Sequence, residues 1–135
     1  MHPPMKTPKK TLLAALLQFA LLGTGLCAVE AVDVDGDLMR GIDDTAKSLD
    51  SEVALKDGKA ALADAKSLVE TFARIESHYG QKPDTADAVG FAHRTQELAA
   101  QTLKAIEAQD YDAASEAVNQ LTRSCKNCHD VYKKD

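Results

Sequence analysis

The last 25 residues read YDAASEAVNQLTRSCKNCHDVYKKD (residues 111–135), and their spacing decides the fold. Tyr111, Ala114, Val118, Leu121, Cys125, Cys128 and Tyr132 recur at steps of three and four, which places them on one face of an α-helix. Working back along the chain, the same rhythm returns three times. Met39, Ile42, Ala46, Leu49 and Val53 form a first seam. Asp57 is placed to cap a second helix with the seam Leu62, Ala65, Val69, Phe72, Glu76 and Tyr79, stopped by Gly80 in a C′ position and by Pro83. Asp84 can cap a third helix, with Asp87 in its first turn and the seam Val89, Ala92, Gln96, Ala99, Leu103 and Ile106. Gln109-Asp110 is the short loop to the last helix. No segment alternates with strand period over a useful length. Four helices of about five turns with tight connections predict an all-α, up-down-up-down antiparallel four-helix bundle.

Within the last seam lies Cys125-Lys126-Asn127-Cys128-His129, the C-x-x-C-H pattern of covalent c-type haem attachment. On a helix both thiols and the imidazole share one face. Cys125 and Cys128 can then form thioethers to the two vinyl groups, with His129 beneath the iron as proximal ligand. A zinc site is a rival reading, but it wants about four ligands, and His2, His78 and His93 lack finger-like spacing. A thioredoxin-like redox pair expects a βαβ context, and nothing nearby reads as strand.

At the other end, Lys6, Lys9 and Lys10 precede the apolar run LLAALLQFALL (residues 12–22), the pattern of a secretory signal. The run is shorter than the ~18–20 residues a spanning helix needs. Ala28 and Ala31 both suit cleavage, and cleavage after Ala31 is preferred, giving residues 1–31 as signal and 32–135 as one domain. Cys27 leaves with the signal, and Leu26 before it is too large for lipoprotein attachment. Two cysteines then remain, which in an oxidising compartment would form a disulfide or carry a ligand; haem attachment outside the cytoplasm fits that setting, and the periplasm is the expected location.

The full chain carries 16 basic and 21 acidic residues. Cleavage removes Lys6, Lys9, Lys10 and Glu30, leaving 13 and 20 and a formal charge near −7. Such a domain is a poor nucleic-acid or anionic-membrane binder. The mature chain has no Trp, and its aromatic residues are Phe72, Phe91, Tyr79, Tyr111 and Tyr132. Its seams are rich in Ala, so protein-only burial is thin at this length. A buried porphyrin, at ~25 cal/mol/Å², would contribute several kcal/mol or more.

Antiparallel topology brings the start of helix 1 to the same end as the finish of helix 4. Met39 and His129 then fall within roughly one to two turns of one bundle end. Met39 is therefore the candidate for the iron face opposite His129, against the alternative of a core methionine filling a gap. His78 and His93 read as flanking residues. Glu76 is an inward carboxylate that Arg40 or Arg74 could pair, or that the haem edge could bond. Arg40 and Arg123 are candidate partners of the propionates, and Lys133 and Lys134 suit a helix C-terminus.

The stretch Arg123-Ser124-Cys125-Lys126-Asn127-Cys128-His129-Asp130-Val131-Tyr132-Lys133 resembles class II c-type cytochromes, the cytochrome c-prime family. Asp37-Leu38-Met39-Arg40 resembles the low-spin branch, in which a helix 1 methionine is the sixth ligand. High-spin members often carry an Arg a few residues after the haem histidine, where this chain has Lys133. The resemblance spans essentially all of the mature chain. It implies one covalent haem c near one end of a four-helix bundle, and dimers through helices 1 and 2 in some members; the outer faces here suit either state.

The expected function is therefore periplasmic single-electron carriage between redox partner proteins, with no enzymatic acid–base pair. The alternative is a five-coordinate haem protein binding nitric oxide or carbon monoxide, in which Met39 only packs. A non-haem zinc or structural bundle is the remaining reading.

Overall fold

The computed structural model describes residues 32–133, so residues 1–31, where a signal segment with Cys27 is expected, and Lys134 and Asp135 lie outside the described residues. Four helices account for nearly all of it: α1 Gly36–Leu55, α2 Gly58–Gly80, α3 Ala86–Glu107 and α4 Tyr111–Tyr132. Each packs on the next and α4 closes against α1, as in a four-helix bundle. The α2–α3 and α3–α4 seams are the most closely packed, and α1 sits more sparsely against α2 and α4. None of these helices is long and apolar enough to cross a membrane.

Local chemistry sets the helix ends. Asp35, Asp57 and Asp110 each accept a hydrogen bond from the backbone amide three residues on, at 2.8, 3.2 and 3.0 Å, the arrangement of an N-cap. The two short connections are built alike. Lys56 and Gln109 adopt left-handed conformations, with φ of 58° and 57°. The following amides reach back five residues, Asp57 N to Glu52 O and Asp110 N to Ala105 O, both at 2.9 Å. This is the 6→1 bond of a Schellman ending, made here without glycine, and it delivers each aspartate directly to its capping position.

The α2–α3 connection differs from expectation. Gly80 is the last residue of α2 rather than a left-handed C′ residue, and Gln81 follows in right-handed conformation. Pro83 disfavours helical backbone at the residue before it, so the turn is completed later, with Asp84 at φ 57°. A left-handed Asp84 cannot cap α3, and Thr85 occupies that position instead. The Thr85 hydroxyl lies 2.6 Å from Tyr79 O and 3.0 Å from Lys82 O, closing the end of α2 rather than the start of α3.

Leu49, Leu68, Leu98 and Leu121, one from each helix, are essentially inaccessible and mark the centre of the core. In α2 the buried residues are Ala61, Ala65, Leu68, Phe72 and Ile75, while Leu62, Val69 and Tyr79 are only half-buried. In α3 they are Ala88, Ala92, Thr95, Leu98, Ala99, Thr102 and Ile106. Both inward faces are thus rotated by about one residue from the expected seams. Each helix touches two neighbours, so its buried stripe is wider than an a/d line. Thr95 and Thr102 satisfy their hydroxyls on the carbonyls of Phe91 and Leu98, at 2.8 and 2.9 Å, and can therefore lie in the core.

Candidate functional site

The end of α4 rises past the core. Ser124 is its last buried residue. Beyond it Cys125 and Cys128 are half-buried and His129 is exposed. Both thiols are free. Burial, with Cys128 as a lesser cause, pushes the Cys125 thiol up to about 11. Burial and then the Asp87 carboxylate raise Cys128 as well.

The bundle order assembles four chain segments around these residues. From α1 comes Met39, half-buried against the core, as are Leu38 in the same turn and Val32 and Val34 just before the helix. Asp43, one turn beyond Met39, is close enough to Cys125 for its charge to act on that thiol. α1 packs on α4, and Met39 and Cys125 are both half-buried against the same core. From α2 comes Tyr79, with its ring 6.0 Å from that of Tyr132, and His78, edge-on to Tyr79 at 5.2 Å. Lys82 lies 5.9 Å over the Tyr79 ring. From α3 comes Asp87, which accepts a hydrogen bond from the Tyr132 hydroxyl.

No family model, curated protein or solved structure matches the chain. The case for the site thus rests on its own geometry. Among the described residues, no three His, Cys, Asp or Glu side chains are grouped as a nest for a metal ion. That arrangement suits a tetrahedral zinc centre poorly, since zinc needs its donors gathered. A c-type haem makes a different demand: two free thiols and an imidazole at helical spacing, beside apolar surface. The end of α4 has all three donors on one helix. Half-buried Val32, Val34, Leu38, Met39 and Tyr79 fringe the core, and Val131 and Tyr132 are exposed apolar side chains in the same last turn of α4. The residues present fit that group.

The other candidates have other partners. His93 places Nδ1 3.3 Å from Glu76 Oε2 and Nε2 3.6 Å from Glu97 Oε1, so it bridges carboxylates on α2 and α3. Glu76 therefore pairs with His93, a partner the spacing alone did not suggest. Arg40 pairs with Asp37 one turn back, and Arg123 lies 3.5 Å from Glu116. The Lys133 backbone amide donates to His129 O at 2.9 Å. Two features escape sequence reasoning altogether, the Asp87–Tyr132–Tyr79 group and the buried Thr95–Ser124 pair. Their members lie on different helices, and no local pattern links them.

Proposed function

We propose that the chain is a c-type cytochrome that carries single electrons. Cys125 and Cys128 would hold the haem through thioethers, with His129 as proximal and Met39 as distal iron ligand. The observation that carries this reading is the pair of free thiols and the imidazole at the end of α4, in a bundle where α1 packs on α4 and Met39 and Cys125 lie half-buried against one core. When bound, haem supplies a one-electron couple, and a methionine–histidine ligand pair raises its potential. The chain's own part is to attach the group, set its two axial donors and exclude water with the half-buried fringe around Met39. The signal-like residues 1–31 would place this chemistry in the periplasm, among redox partner proteins.

The optical spectrum of the purified protein tests the proposal. Low-spin bands, a ferric methionine-to-iron charge-transfer band and haem retained through denaturation are expected. Haem should be lost from a Cys125→Ala, Cys128→Ala variant. A high-spin spectrum unchanged by Met39→Ala overturns the electron-carrier reading in favour of gas binding at a five-coordinate iron. A preparation holding zinc and no haem removes both.

A further inference from the structure

The segment carrying the attachment motif overhangs the core. After Ser124, no residue of α4 is buried, and Lys126, Asn127 and residues 129–133 are all exposed. The chain leaving α4 also differs from that leaving α1 and α3: Lys133 is extended, at φ −87° and ψ 92°, where Lys56 and Gln109 are left-handed. A terminal turn of this kind frays unless tertiary contacts hold it.

Tyr132 supplies such contacts in two directions. Its ring packs beside Tyr79 of α2, and its hydroxyl donates to Asp87 in the first turn of α3. Cys128 lies four residues before Tyr132 and His129 three before it, so all three share a helix face or its margin. Cys128 is also near enough to act electrostatically on both tyrosines. The Lys133 amide, next to Tyr132, donates to the carbonyl of His129.

We propose that Tyr132 is a positioning residue for His129, clamped by Asp87 and Tyr79 so that the last turn of α4 keeps its rotation and aims the imidazole. This rests on the haem reading for its purpose, but the clamp itself is a property of the polypeptide. A phenol bound at both its ring and its hydroxyl cannot turn with a fraying helix end. His129 inherits that constraint through the intervening single turn.

The test uses the full mature chain and the variants Tyr132→Phe, Asp87→Ala and Asp87→Asn. Phe keeps the ring beside Tyr79 and loses the donor, while Asn keeps a neutral acceptor. In Tyr132→Phe and Asp87→Ala, amides 129–133 should exchange with solvent about threefold or more faster, as loss of one hydrogen bond implies. Exchange in the Leu49, Leu68, Leu98 and Leu121 layer should be unchanged, which shows that the fold is intact. The ferric electron-paramagnetic signal should broaden in both variants and sharpen again in Asp87→Asn. Unchanged exchange and signal in Tyr132→Phe and Asp87→Ala overturn the clamp. A wild-type preparation without haem removes the haem reading, and exchange on that same chain still decides the clamp.

Discussion

The hydroxyls of Thr95 on α3 and Ser124 on α4 lie 2.8 Å apart inside the core, one residue before Cys125. Thr95 spends its single proton on Phe91 O, at 2.8 Å, so Ser124 is the donor of the pair. The bond joins the two helices where α4 leaves the core. Ser124→Ala removes a donor and leaves Thr95 satisfied by Phe91, so it should cost about 1 kcal/mol. Thr95→Val takes the acceptor from a buried hydroxyl and should cost more, about 1–3 kcal/mol. Denaturant unfolding of both variants checks the order, and equal or reversed costs would contradict the assignment of donor.

Gly58 opens α2 directly beneath Tyr111, the first residue of α4. A Cβ at position 58 would lie 2.8 Å from the Tyr111 hydroxyl oxygen but 4.0 Å from Cζ of that ring. Gly58→Ala should therefore destabilise the bundle by about 1 kcal/mol, although alanine is the better helix former. With Tyr111→Phe in place the obstruction is gone, and the same change should stabilise by about 0.4–1 kcal/mol. A double-mutant cycle reads this reversal of sign as coupling between the two sites.

The thiols differ in burial and should differ in reactivity. With its thiol pushed up to about 11, Cys125 in the folded, haem-free chain carries little thiolate at neutral pH. Alkylation by iodoacetamide should be about a hundredfold slower there than in denaturant, with Cys128 reacting before Cys125. Peptide mapping after timed quenching gives both rates. Equal rates in the folded and unfolded chain would show that the end of α4 does not shelter these groups.

The Asp87–Tyr132 bond defines a pH window. The Tyr132 hydroxyl holds the Asp87 carboxyl below the ordinary carboxylate range, so this contribution is present above about pH 4. It is lost as pH falls through the lower folded value. Asp87 in turn pushes the Tyr132 phenol up to about 12, a contribution present below about pH 10 and lost as pH rises through 12. Phenolate absorbance should show Tyr132 ionising well after a free tyrosine. In Asp87→Ala that step should return toward about 10. A Tyr132 titration indifferent to Asp87→Ala would show that the bond does not form in solution.

The sequence reading and the bundle agree where interactions are local. The four helices and the cap at Asp57 follow from i, i+3 and i+4 spacing and from aspartate's affinity for free amides, whereas Asp110, read only as loop, turned out to cap α4. The C-x-x-C-H motif was legible for the same reason, because five consecutive residues on one helix fix their own relative placement. Around Pro83 even the local reading slipped. Proline's effect on Lys82 delayed the turn and moved the left-handed residue to Asp84, and Thr85 took the capping position.

By itself, then, the amino-acid sequence determined the helical elements, their order and the shared face of Cys125, Cys128 and His129. Each depends on neighbours within a turn or two. Only the tertiary structure decided which side of α2 and α3 faces inward, that Gly58 lies under Tyr111, and that Glu76 meets His93. It alone joined Tyr132 to Asp87, 45 residues away. Such contacts are set by how whole helices rotate and slide to fill a common core, a constraint that no stretch of one helix contains.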